Sequence, residues 1–298
     1  MSRLALTLAV FLPFFAAHAR ADDAAPEEEA AKVEEAPKPE DKCPKIKGKD
    51  PVVYGIGGST MGSLLGPMLK TVFAEHKVTF KRWGKASSGL ARPDFHDWPA
   101  TAPELMETHQ PDIVIISLGT NDYQPLWVDG NWVKQEDENW DKLYGERVDA
   151  LLAAVAGKNK RRMIIWSGPY AFEGPNAEVR APIVNRIMRE RVEAFAAAGG
   201  RAVFHDAYTV TSDDKGKPLD EAVLPGRKKA VEIRTKDKVH LTSDAVRHLL
   251  AEPIVEMTLP CFAKKERGTK ARSAGTEATK AKRNKVDKGT RGSQPKGR

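Results

Sequence analysis

Hydrophobic positions follow two alternating spacings between residues 50 and 260. Val52 to Gly57 is a short apolar run that predicts a buried strand. Leu64, Leu65, Met68, Leu69, Val72 and Phe73 then fall at helical spacing and predict a helix over Met61 to Glu75. Lys77 to Trp83 alternates as a second strand. A polar loop, Ser87 to Asp94, leads to a short helix expected over Thr101 to Thr108. Asp112 to Leu118 is the clearest buried strand in the chain. Beyond it the pattern predicts a small hairpin over Trp127 to Trp132, with Asp129-Gly130 at its tip. A helix over Asp141 to Ala156 stops at Gly157. A strand at Arg162 to Trp166, a helix at Ala177 to Ala198 and a strand at Ala202 to His205 follow. The last helix starts at Thr242, whose hydroxyl can accept from its first free N–H, and runs to about Leu259.

Strands alternating with helices predict a three-layer α/β/α fold around a mostly parallel five-stranded sheet. Ligand sites in such sheets lie beyond the carboxyl ends of the strands. Ser59, Gly89, Asn121 and the segment from Asp237 to His240 all fall in loops of that kind.

The ends of the chain read differently. Residues 1–21 have the form of a secretory signal: Arg3, an apolar run from Leu4 to Phe15, and a small-x-small site at Ala19-Arg20-Ala21. Residues 22–42 are an Ala/Pro/Glu linker, expected to be disordered because it has too little apolar surface to offset chain entropy. Residues 263–298 form a basic tail of the same expectation, with 13 Lys/Arg against 3 Asp/Glu. The formal charge of +7 belongs to that tail, because residues 43–262 carry only +1. The folded part is therefore not read as a nucleic-acid binder. An exported basic tail suits acidic envelope polymers, or simply solvent. About 220 residues remain for one α/β domain, expected to be a monomer in the periplasm or outside the cell. Cys43 and Cys261 bracket it, and an oxidising compartment makes a disulfide between them a fair expectation. Closing so long a loop is worth about 5 kcal/mol in the chain-entropy model.

The chemistry concentrates in three segments. Gly55-Ile56-Gly57-Gly58-Ser59-Thr60 puts a serine between a strand and a helix, where unpaired N–H groups favour developing negative charge. The same serine could equally be a helix cap beside a tight turn. Asp237-Lys238-Val239-His240 offers an imidazole base with a carboxylate to hold its tautomer. Gly119-Thr120-Asn121-Asp122 supplies a turn with an amide. A phosphate loop is excluded by the missing Lys after Gly62, and a dinucleotide fingerprint by Thr60 where its last Gly should stand. His205-Asp206 and the Asp94 to Asp97 stretch give no convincing metal ligand set, so neither metal nor cofactor is expected.

The order of four blocks, Gly57-Gly58-Ser59-Thr60, Ser88-Gly89, Gly119-Thr120-Asn121-Asp122 and Asp237-Lys238-Val239-His240, resembles the SGNH, or GDSL-type, hydrolases over roughly Pro51 to Leu259. That resemblance implies Ser59 as nucleophile, His240 as base and Asp237 as its orienter. It implies an oxyanion hole from the N–H groups of Ser59 and Gly89 with the Asn121 amide. The implied activity is hydrolysis of O-acyl esters, O-acetyl above all, through an acyl-serine, on a small molecule or an envelope glycan. An acyltransferase with the same triad and a non-catalytic glycan-binding descendant are the alternatives. One departure stands out: Gly58 occupies the position where the family usually has Asp.

Overall fold

The computed structural model describes residues 42–44, 50–122, 124–158, 161–175 and 177–262. The expected signal, the acidic linker up to residue 41 and the basic tail lie outside the described residues.

Five parallel strands form the central sheet in the order β2-β1-β3-β6-β7. They are β1 (Val53–Gly57), β2 (Phe80–Gly84), β3 (Ile113–Ser117), β6 (Met163–Ser167) and β7 (Ala202–His205). Every residue of β1, β3 and β6 is buried, which is why these strands read as unbroken apolar runs rather than alternating ones. Successive side chains still point to opposite faces, and each face has its own core. Val114, Ile116, Ile164 and Trp166 pack with Trp98, Trp140, Tyr144 and Val184, residues of helices α2 (Trp98–His109), α3 (Trp140–Ala156) and α4 (Ala177–Ala197). Ile113, Ile115, Met163 and Ile165 pack on the other face with Leu65, Leu69, Val246 and Ile254. Those come from α1 (Leu65–Glu75) and the C-terminal helical run, α5 (Ser243–Ala245), a π-wound stretch Val246–Ala251 and α6 (Glu252–Thr258). The three-layer α/β expectation holds.

Several boundaries move for local physical reasons. The helix expected from Met61 begins instead as a π-wound turn, Thr60–Leu64, and becomes α-helical only at Leu65. Helix α2 starts earlier than its apolar spacing suggested, because Asp97 accepts from the Ala100 N–H and Pro99 sits in the first turn. Strand β2 starts later, after a turn in which Lys77 takes a left-handed φ of 62°. The hairpin is present as β4 (Leu126–Val128) against β5 (Asn131–Val133). A short ladder, β8 (Glu221–Ala222) against β9 (Val231–Glu232), lies between β7 and the Asp237 turn, where two residues per strand give no periodicity to read. Thr242 caps the last helical run as expected, accepting from the Ala245 N–H. Cys43 and Cys261 are joined by a disulfide, Cα to Cα 5.1 Å, tying the two flanks together.

The carboxyl edge of the sheet is chemically distinct. The last register row runs Gly84, Gly57, Ser117, Ser167, His205 across all five strands. Small and polar side chains replace the apolar ones there, so loops can lie close over the strand ends.

Candidate active site

The strand order reverses about β1 and β3: the chain steps from β1 outward to β2, then crosses back to β3 and onward. Such a switch point opens a crevice at the carboxyl ends of the two central strands. Ser59 leaves β1 there, and the Gly119 to Asp122 turn leaves β3.

Ser59 is partly exposed and already helical, with φ −58° and ψ −32°. The Gly58 N–H donates to the Ser117 carbonyl at 3.1 Å, extending the β1–β3 ladder by one rung. The Gly62 N–H donates to the Gly58 carbonyl at 3.1 Å, and the Ser63 hydroxyl to the Ser59 carbonyl at 2.9 Å. The π-wound turn that follows is stitched from β2. Arg82 Nε donates to the Met61 carbonyl at 3.1 Å and Nη2 to the Gly62 carbonyl at 3.2 Å. A side chain at Gly66 would collide with that same Met61 carbonyl, so glycine there permits the wide turn. Single π turns inside helices occur frequently at functional sites.

The loop after β2 brings Gly89 to the same crevice. Ser88 is buried and pinned: its hydroxyl donates to the Lys85 carbonyl at 2.7 Å and accepts from Trp98 Nε1 at 3.1 Å. Asn121 Nδ2 donates to the Ser88 carbonyl at 2.8 Å. A primary amide has two N–H donors, and among the described residues this is the one hydrogen bond that engages them. A Cβ built on Gly58 would lie 3.0 Å from the Ser88 carbonyl oxygen and 3.4 Å from Asn121 Nδ2. Gly58, Ser88 and Asn121 therefore converge, and the Asn121–Ser88 hydrogen bond fills the space into which a side chain at residue 58 would project. This gives a physical account of glycine at that position.

Asp122, to which the sequence reading gave no role, organises this loop. It is fully buried, and Oδ1 accepts from the Ala91 N–H at 2.7 Å while Oδ2 accepts from the Tyr144 hydroxyl at 2.8 Å. Burial pushes its pKa up, opposed by the Ala91 and Leu90 N–H groups and Tyr144. Any side chain on Gly89 would strike its carboxylate. Arg147 reinforces the loop from α3, donating to the carbonyls of Leu90 at 2.7 Å, Ala91 at 3.0 Å and Trp127. The available signal was Asp122 following Asn121 directly; its depth was not readable.

Asp237 and His240 sit on a tight turn. His240 Nδ1 lies 2.7 Å from Asp237 Oδ2, and Asp237 Oδ1 accepts from Thr235 Oγ1 at 2.6 Å and from the N–H groups of Val239 and His240. The His240 bond, then those from Thr235 and the backbone, hold the Asp237 carboxyl far below the ordinary carboxylate range. It is a carboxylate at any working pH, and it leaves Nε2 as the basic nitrogen. The turn rests on the loop after β6, where the Glu173 N–H donates to the Lys238 carbonyl at 3.3 Å. This joins the pair to the segment that leaves the carboxyl end of β6. Both side chains are open, 59% exposed for His240 and 50% for Asp237. No hydrogen bond joins His240 to Ser59 among the described residues. Such contacts often tighten only when substrate binds. Ser87 beside the loop and Lys238 within the turn take left-handed φ of 59° and 60°, as Lys77, Gln110 and Asp129 do in other turns.

His205 is different in kind. It is buried, 3.2 Å from Ser167 Oγ through Nδ1 and paired with the backbone at Leu249. Burial holds its pKa down to about 4, so it is a neutral structural imidazole.

No curated protein matches the sequence. Among solved structures, the chain is similar to a candidate SGNH hydrolase from Slackia heliotrinireducens, at 16% identity over 70% of this chain and 100% of that one, TM-score 0.45. It is similar to a variant of the acetyl xylan esterase Axe2 from Geobacillus stearothermophilus, at 18% identity over 70% of this chain and 95% of that one, TM-score 0.44. A lipase from a goat rumen metagenome is similar at 17% identity over 69% of this chain and 97% of that one, TM-score 0.42. The family model described as Protein of unknown function (DUF459) matches residues 52–256, and the chain belongs to that family.

Proposed function

We propose that this protein is an exported serine ester hydrolase acting on O-acyl, chiefly O-acetyl, esters of envelope or extracellular glycans. The observation that carries the reading is the Asp237–His240 pair, bonded at 2.7 Å and joined to the segment that leaves the carboxyl end of β6. Ser59 Oγ attacks the ester carbonyl carbon while His240 Nε2 takes the hydroxyl proton. The carbonyl oxygen becomes an oxyanion held by the N–H groups of Ser59 and Gly89 and the second Asn121 N–H. Collapse breaks the ester C–O bond, and the leaving alcohol takes the proton from His240. Water, deprotonated by His240, then attacks acyl-Ser59, releases the carboxylic acid and returns the proton to Ser59. The openness of His240 favours water as the acceptor over a second alcohol, because transfer requires a site that excludes water. The signal-like residues 1–21 and the Cys43–Cys261 bond support export.

Hydrolysis of p-nitrophenyl acetate by the purified protein tests this. Turnover is expected in the parent and is expected to vanish in Ser59→Ala and His240→Ala with the fold intact. Turnover persisting in Ser59→Ala would show that the nucleophile is another residue.

A further inference from the structure

Two large aromatic side chains are exposed among the described residues: Trp132, 51% exposed, and Phe95, 49% exposed. They are far apart in sequence, yet both lie on segments joined at the candidate oxyanion loop. Phe95 belongs to the stretch running on from Gly89, and Trp132 to the β4–β5 hairpin. The hairpin is docked onto that stretch, with the Trp127 N–H donating to the Ala91 carbonyl at 3.1 Å and Arg147 bridging the two. Arg92 lies over the Trp132 ring at 4.8 Å, and Trp127 meets that ring edge-on at 4.8 Å. Arg92 is only three residues beyond Gly89, no more than about 11 Å of extended chain. The platform is therefore within reach of the alcohol part of an ester whose carbonyl sits at Gly89.

The polar groups among the rings decide what it can hold. Arg92 pairs with Asp94 through two parallel hydrogen bonds, 2.8 and 2.6 Å, and both side chains are one-third exposed. Lys85 lies 5.4 Å above the Phe95 ring. A fatty chain laid here would strip water from these charges without replacing its hydrogen bonds. A nucleic acid would bring phosphates against Asp94 and Asp97. The same loop walls a cavity of about 240 Å³ lined by Gly89, Pro93, His96, Asp97 and Arg147 among others. His96 Nε2 is buried with no hydrogen-bond partner among the described residues, which is costly unless something donates to it or accepts from it. Flat apolar faces interleaved with paired donors and acceptors match the amphipathic faces and hydroxyls of a sugar.

We propose that Trp132 and Phe95, with the Arg92–Asp94 pair whose guanidinium covers Trp132, form a carbohydrate subsite that binds the glycan part of the ester substrate. This rests on the esterase reading for its role, while its binding can be read without catalysis. The full chain carrying Ser59→Ala would be titrated calorimetrically with xylohexaose, cellohexaose and N-acetylated chitohexaose. Binding of at least one is expected, weakened at least tenfold by Trp132→Ala with Phe95→Ala, and retained within about threefold by Trp132→Phe. In the Ser59 enzyme, the double alanine variant is expected to lower kcat/KM on the matching O-acetylated oligosaccharide at least tenfold more than on p-nitrophenyl acetate. Ser59-dependent hydrolysis of p-nitrophenyl acetate with no saccharide binding, or binding indifferent to both rings, would overturn the subsite and leave the esterase standing. Ring-dependent saccharide binding without any hydrolysis would retain the subsite and overturn the esterase. Binding to anionic lipid vesicles or single-stranded oligonucleotides in place of all three saccharides would also overturn it.

Discussion

Gly89 shows how a single hydrogen atom can be required at a site. It faces the buried carboxylate of Asp122, and a methyl group there would collide with it. Asp122 cannot retreat cheaply, since it holds the Ala91 N–H and the Tyr144 hydroxyl where no water replaces them. Gly89→Ala is thus expected to displace one candidate oxyanion donor and lower kcat on p-nitrophenyl acetate by roughly 10² to 10³-fold, with a smaller effect on KM. An unchanged kcat would remove Gly89 from the oxyanion hole. Ser59, Gly89, Asn121, Asp237 and His240 were marked out as candidates by the resemblance of four short sequence blocks to the SGNH hydrolases. Asp122 and Arg147 were not, because their roles consist in being buried under a loop that comes from elsewhere in the chain.

Among the elements, the π-wound turn after Ser59 departs from its apolar spacing for the most instructive reason. Leu64, Leu65, Leu69, Val72 and Phe73 fit a plain helix, and they do pack as one on the sheet. The widened first turn depends on two features outside that pattern: Gly66 leaves room for the Met61 carbonyl, and Arg82 reaches across from β2 to bond it. Gly66→Ala is expected to destabilise the protein by about 1–3 kcal/mol in urea unfolding, as an overpacked contact does, and to depress esterase turnover by shifting Ser59. Stability equal to the parent would mean the turn relaxes freely. The strands were easier to place, since Ile113–Ser117 and Met163–Ser167 are buried on both faces and show it as continuous apolar runs.

For the molecule as a whole, the polar carboxyl row of the sheet links stability to pH through His205. Its pKa falls from an ordinary 6.5 to about 4 because burial disfavours the imidazolium. Between those values the unfolded chain binds the proton and the folded one does not. Stability conferred by this group is therefore complete above pH 6.5, declines as pH falls towards 4 and changes no further below it. The loss is about 3 kcal/mol. Urea unfolding at pH 7, 5.5 and 4 should show it, and His205→Gln, which cannot take up the proton, should flatten that part of the slope. A slope identical in the variant would assign the acid sensitivity to other groups.

The sequence by itself determined the layer order, the parallel sheet and the candidate chemistry. Period-two and helical spacing encode which face of each element is buried, and the order of the four short sequence blocks points to the chemistry through its resemblance to the SGNH hydrolases. The bond between Asp237 and His240 was also within its reach, because three residues on one turn cannot be far apart. Only the tertiary structure decided why Gly58 and Gly89 carry no side chain, which carbonyl Asn121 holds, and that Trp132 and Phe95 share one loop system. Those facts are contacts between segments separated by tens of residues. Such contacts depend on how strands β1, β2 and β3 are ordered in the sheet, and no local pattern in the chain records that order.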